Sequence, residues 1–340
     1  MKCVAAAFVL AMFTHAFCQP NAAGEANEAL ELARQGKYEL AIPHYREAIR
    51  KDPRMPGLYL NLGLALFKLA RLDEASSAFE HAVQADPKNF QARVLLGMSY
   101  FGTRKFSAAA SALKPAVDQQ PDNVELRYKL AQSYLWSGEH QAAIEQFRVL
   151  LAKDPDSAPV HMLLGEVLDA ANQTPEATAE FEAAVKAAPR EPEAHFGLGF
   201  LYWKQKRFED ARREFQAEVN AQPKHAQALA YLGDAEMQTG DPSAAARHLA
   251  SALELDPNLR LAHLDLGIIL SKDDPQAAVR HFREAIRIDP SKPDAHYRLG
   301  RAWLAIGRQQ DADAEFAKVK ELAANEAPER LLNVSKAPGQ

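Results

Sequence analysis

Residues 194–223 read AHFGLGFLYWKQKRFEDARREFQAEVNAQP. Apolar residues fall at helical spacing on both sides of a polar break: Phe196, Leu198, Leu201 and Tyr202 before Lys204–Arg207, then Phe208, Ala211, Phe215 and Val219 after it. The segment therefore reads as two amphipathic helices joined by a short turn and closed by Pro223, which has no N–H to continue a helix. The same punctuation recurs at Pro53, Pro87, Pro121, Pro155, Pro189, Pro223, Pro257 and Pro290, spaced by 34 residues six times and then once by 33. A period of this size means an array of one supersecondary unit, each copy unable to bury its apolar face alone.

Between the prolines a few positions stay constant. Leu-Gly stands in the first helix at Leu62-Gly63, Leu96-Gly97, Leu164-Gly165, Leu198-Gly199, Leu232-Gly233, Leu266-Gly267 and Leu299-Gly300, with Leu130-Ala131 and Ala29 in the remaining copies. Twelve residues later comes Ala41, Ala75, Ala109, Ala143, Ala177, Ala211, Ala245 or Ala312, with Ala278 one place early. Four further on stands Tyr45, Phe79, Leu113, Phe147, Phe181, Phe215, Leu249, Phe282 or Phe316, which makes nine copies. A glycine inside a helix costs about 1 kcal/mol against alanine. Seven at one position therefore point to close helix contact, with the large residue filling the space alongside. Gly36, Gly138, Gly240, Gly307 and Asn172 suit the left-handed backbone at the end of a first helix.

The pattern Leu198, Gly199, Tyr202, Ala211, Phe215, Pro223 resembles the tetratricopeptide repeat family, over nearly the whole chain from about Ala22 to Ala324. The resemblance implies an all-α, right-handed superhelical solenoid of about nine tetratricopeptide-type helix hairpins whose first helices line a concave groove. Carried across position by position, the groove strip is Leu60, Leu64, Phe67, Val94, Met98, Phe101, Tyr128, Trp136, Phe196, Phe200 and Trp203, with Arg298 and Arg301 as a basic station. Glu166, Asp169 and Asp234 form acidic stations, so a bound segment would have a preferred direction. An apolar and aromatic strip of this kind marks a binding surface; the alternative is that its members pack on neighbouring first helices. The cation set with which some family members clamp two carboxylates is missing, because Leu60, Leu64 and Leu95 surround Asn61.

The ends bound the rest. Lys2, the apolar run Val4 to Phe13 and Ala16-Phe17-Cys18 outline a secretory signal peptide over residues 1–18, too short in its apolar part to span a bilayer. The expected domains are then the solenoid at 22–326 and a C-terminal tail or short cap at 327–340. The expected compartment is periplasmic or extracellular, with no transmembrane segment after cleavage. His15 and Phe17 disfavour lipid attachment at Cys18. Both cysteines, Cys3 and Cys18, fall in the leader, so no disulfide or thiolate chemistry is expected afterwards. A net charge of −5 without a dense basic patch argues against nucleic acid.

No catalytic motif stands out, and no enzyme activity, cofactor or metal is expected. His161, His195, His263 and His296 in first helices, and His44, His248 and His281 in second helices, recur once per repeat, which suits a structural role facing the hairpin rather than converging zinc ligands. Glu218 replaces a small residue; its stem is expected to pack while its head reaches solvent or Arg213. The expected function is an exported scaffold or assembly factor that binds a peptide or protein segment in its groove. The alternative is a non-catalytic subunit presenting substrate to an envelope glycan or lipoprotein enzyme.

Overall fold

The computed structural model describes residues 21–334, with side chains described to residue 324. The expected signal peptide at 1–18 lies outside the described residues, as do the last six. The chain divides into two compact units, residues 1–146 and 147–340. The described part of the first holds the hairpins α1 (Ala22–Arg34) with α2 (Tyr38–Lys51), α3 (Leu58–Lys68) with α4 (Leu72–Ala85), and α5 (Phe90–Gly102) with α6 (Phe106–Gln119), followed by α7 (Val124–Ser137). Helix α8 (His140–Lys153) contains the boundary.

The second unit continues with α9 (Ala158–Ala170) and α10 (Thr174–Ala187), α11 (Ala194–Lys204) and α12 (Phe208–Ala221), and α13 (Ala226–Gln238) and α14 (Pro242–Leu255). It ends with α15 (Arg260–Leu270) and α16 (Pro275–Ile288), then α17 (Pro293–Ala305) and α18 (Gln309–Val334). Within each unit consecutive helices pack together, and several first helices also touch the next one, as α3 touches α5 and α11 touches α13. This is an all-α solenoid. Of the residues expected at 327–340 as a tail or short cap, 327–334 continue α18, which runs unbroken to Val334.

The constant positions explain the packing. A Cβ added to Gly63, Gly97, Gly165, Gly199, Gly233, Gly267 or Gly300 would stand 2.5–2.8 Å from Phe79, Leu113, Phe181, Phe215, Leu249, Phe282 or Phe316 respectively. The missing methyl is thus the seat of the large side chain from the partner helix. Phe79, Phe215 and Phe282 are fully buried in these seats, as are the alanines at Ala75, Ala211 and Ala278. Gly197 extends the interlock to the preceding hairpin, because a Cβ there would run into the Phe181 ring.

Ends of helices follow equally local rules. First helices close with an amide two or three residues past the end bonded back to the last turn, as in Lys37 to Leu32, Arg71 to Leu66, Glu139 to Tyr134 and Arg207 to Tyr202, a Schellman arrangement. The left-handed residue inside that turn is Gly36, Gly138, Gly240, Gly307 or Asn172, as the sequence suggests, but also Ala70, Arg104 and Lys206 at φ near +60°. Second helices end on the residue before the periodic proline, which is extended: Asp86 has φ −136° and ψ 92°, Asp256 φ −138° and ψ 101°.

Two substitutions test these rules by urea denaturation followed by circular dichroism. Gly199→Ala drives a methyl into Phe215 and should lower stability by about 1–3 kcal/mol. Lys206→Gly relieves a left-handed β-carbon and should raise it by about 1 kcal/mol.

Candidate functional site

In the first unit the expected strip separates into two kinds of surface. Leu60, Leu64 and Phe67 are half-buried against the hairpin core, so they act in packing. Leu64 also borders a hollow of about 250 Å³ whose rim includes Leu30, Arg34, Asn61 and Lys68. Val94, Met98 and Tyr128 are half-buried. Phe101, Phe106 and Trp136 instead form a closed ring cluster, with centroids 5.1–5.7 Å apart, and the Lys129 ammonium lies 4.6 Å from the Phe101 centroid. Trp136 is 47% exposed, an unusual place for so large an apolar side chain. Phe106 comes from the second helix of the hairpin, so a register drawn on first helices alone misses it.

In the second unit Phe196, Phe200 and Trp203 lie along α11, with Phe200 stacked on Trp203 at 6.0 Å. Tyr231 of α13 meets Phe200 and Trp203 edge-on at 5.5 and 5.3 Å. The register that singles out Arg298 also singles out Tyr231, since both stand two residues before the helix-packing glycine. The indole N–H of Trp203 donates to Asp234 Oδ2, and Gln238 donates to Oδ1 at 3.3 Å. Asp265 of α15 faces Asp234; the two carboxyls are only 3% and 5% exposed.

The other stations are more ordinary. Asp169 is held by Lys204 at 2.6 Å, and Glu166 is exposed. Arg298 and Arg301 are both exposed on α17, with Arg301 3.4 Å from the Tyr297 hydroxyl. They stand on one helix face with room to approach a carboxylate.

The recurrent histidines brace hairpins. His161 and His195 hold the carbonyls of Pro155 and Pro189 through Nε2 at 2.9 and 3.1 Å, while Nδ1 pairs with Glu180 and Glu214 of the second helix at 2.6 and 2.8 Å. Arg93 and Arg127 make the same proline-carbonyl contact six residues after their own prolines. Repeat eight departs from this scheme: His263 holds Pro257 but its Nδ1 faces His281 Nδ1 at 3.1 Å. Burial and His263 push the His281 pKa down, so acidification below its ordinary 6.5 works against this hairpin.

Glu218 corrects the sequence expectation. It is 1% exposed and accepts from the backbone amides of Glu193 and Phe196 at 3.4 and 3.2 Å, while Arg213 pairs with Asp210 and Glu214. The cause is local. Glu193 adopts φ +68° at the start of α11 and provides no side-chain cap there, unlike Asn89 and Asn123, which cap α5 and α7. A carboxylate from α12 fills the vacancy, satisfying amides that a helix start leaves open.

Among the described residues two clusters could gather three ligand atoms around a cation, Glu25 with Glu28 and His44, and Glu193 with Glu218 and His225. In the first, Glu25 is already bonded to His44 and Lys51, which lower its pKa. In the second, Glu218 caps α11 and His225 Nδ1 accepts from the Ala228 amide.

Two family models, both described as tetratricopeptide repeat, match the chain, one at residues 100–167 and 270–332, the other at 27–90, 162–223 and 201–260. Among solved structures the chain is similar to YrrB, described as a TPR protein with an unusual peptide-binding site, at 21% identity over 53% of this chain and 93% of that one, with a TM-score of 0.45. Two structures of MamA are similar at 23% identity, covering 48% and 51% of this chain and 97% and 96% of theirs, with TM-scores of 0.43 and 0.44. No curated protein matches the chain.

Burial and the neighbouring Asp234 push the Asp265 pKa up from 3.8 to about 8, with Asp294 adding to the rise and Arg260 opposing it. The folded state therefore holds a proton that the unfolded chain releases near pH 4. Stability from this group is full below that point, is lost as pH climbs, and is gone above about 8. Asp265→Asn should flatten that part of the pH profile and be more stable at pH 8 by about 2 kcal/mol or more. Urea titrations at pH 5 and pH 8 measure it, and equal pH slopes in both proteins would refute the assignment.

Proposed function

Because the chain belongs to the tetratricopeptide repeat family, we propose that it is a protein–protein interaction scaffold that takes a partner segment on the exposed face of its first helices. The observation that carries this reading is Trp136, 47% exposed on top of Phe101 and Phe106. Tryptophan is enriched among binding anchors, and one on a preorganised aromatic base covers a large area with few rotors to freeze. The lane of Phe196, Phe200, Trp203 and Tyr231 supplies a second such base in the other unit. Exposed Arg298 and Arg301 add a place for an acidic group.

The reading includes export. The leader expected at residues 1–18 would send the chain to the periplasm or outside the cell, and no described helix is long and apolar enough to cross a membrane. The partner is then an envelope or secreted protein. The scaffold brings that partner into an assembly, with the catalytic work, where there is any, supplied by another chain.

Trp136→Ala removes the exposed anchor without opening the core. It should leave helical content and melting temperature within error of the parent and weaken a co-purified partner's affinity at least about tenfold, the cost of a binding hot spot. Surface resonance titration with both proteins checks this. Unchanged affinity would assign Trp136 to an idle surface. Sequencing the exported protein tests the leader, with Gln19 expected at the new N-terminus.

A further inference from the structure

We propose that the hollow bordered by α1, α2 and α3 is a binding site for a small monocarboxylate, a free acid with an aliphatic or aromatic body, held by Arg34, Lys68 and the hydroxyl of Tyr45. The hollow, of about 250 Å³, lies wholly within the first unit. Leu30, Ala33 and Leu64 give it apolar walls, and its polar lining consists of the two cations, Asn61 and the phenols of Tyr38 and Tyr45. No lining residue carries a carboxylate.

Tyr45 is the residue that points to a ligand. In the other eight copies the large side chain of the second helix is phenylalanine or leucine, as at Phe79 and Leu113. In the first copy alone it carries a hydroxyl. Tyr45 is 1% exposed and borders the hollow, and its hydroxyl has no hydrogen-bond partner among the described residues. A buried phenol normally finds one. Burial raises the Tyr45 pKa against the opposing pull of Arg34, so the hydroxyl keeps its proton at neutral pH and offers a donor.

Both cations are available to the same ligand. Lys68, exposed at the end of α3, has no ion-pair partner among the described residues. Arg34, at the end of α1, has Glu31 at 4.0 Å, and both of those side chains are more than half exposed. From α2 only the two phenols face the hollow as titratable groups. A carboxylate there would meet a guanidinium fork, an ammonium and a phenol, all of them donors. Its apolar body would displace water from Leu30, Ala33 and Leu64.

This site stands apart from the scaffold reading, and its test needs no protein partner. Titration calorimetry of the full chain at pH 7 compares 3-phenylpropanoate with 3-phenylpropanamide, which lacks the charge, and with acetate, which lacks the body. The phenylpropanoate should saturate the protein and bind about tenfold tighter than either. Tyr45→Phe restores the ring found in other copies, so it should match or exceed the parent in urea without ligand, yet bind the acid about fivefold or more weakly. Lys68→Gln and Arg34→Gln should each weaken the acid by a similar factor while keeping parental helical content. Binding of the acid no tighter than the amide or acetate, absence of saturation, or undiminished binding by Tyr45→Phe would overturn the proposal. So would a clear loss of stability in unliganded Tyr45→Phe, because the hydroxyl would then already be satisfied within the fold.

Discussion

The interlock between a helix-packing glycine and a large side chain from the partner helix is the constraint on which this architecture depends. Seven glycines have no room for a methyl because Phe79, Leu113, Phe181, Phe215, Leu249, Phe282 or Phe316 occupies the place. Each interlock closes one hairpin, and the alanine four residues before the large side chain lets the helices approach. The energy gained is local, so stability accumulates copy by copy. It also frees the exposed positions of first helices from any duty in closing a hairpin, which is why aromatic and charged residues can vary there from one copy to the next.

That freedom has produced two different surfaces. Around Trp136 the rings are partly exposed and neutral apart from Lys129, suited to an apolar anchor. Around Trp203 the rings run into buried acids, and the helices that follow, α13, α15 and α16, hold two pairs that break the common pattern: Asp234 with Asp265, and His263 with His281. These pairs respond to pH in opposite senses. The acids destabilise the fold as pH rises from 3.8 toward 8, the histidines as it falls below 6.5. Helix α15 of repeat eight carries one member of each pair, Asp265 and His263.

Much of this was legible in the sequence, because repeats turn weak local signals into a strong periodic one. The hairpins, the interlocking residues and most left-handed turns follow from glycine, alanine and proline spacing. Ala70, Arg104 and Lys206 were not legible as left-handed positions, since the Schellman turn imposes that backbone on residues that do not prefer it. The role of Glu218 was hidden for a related reason. Its partner is a helix start made exceptional by the backbone of Glu193, and no side-chain motif announces that. Among the groove positions, register identified which residues lie near the face but not which are exposed. Leu60 and Phe67 share their register with more exposed residues elsewhere, and only packing against the core distinguishes them. Asp265 carried no signal by itself; its chemistry arises from its burial and then from Asp234 on the preceding first helix.

The most direct test of the interlock is a double-mutant cycle on Gly199 and Phe215, read by urea denaturation. If the ring is what forbids a β-carbon, Gly199→Ala should cost about 1–3 kcal/mol in the parent and close to nothing, or even stabilise through better helix propensity, when Phe215 is already alanine. Equal costs in the two backgrounds would contradict the account, placing the need for glycine elsewhere than in the seat of the phenylalanine.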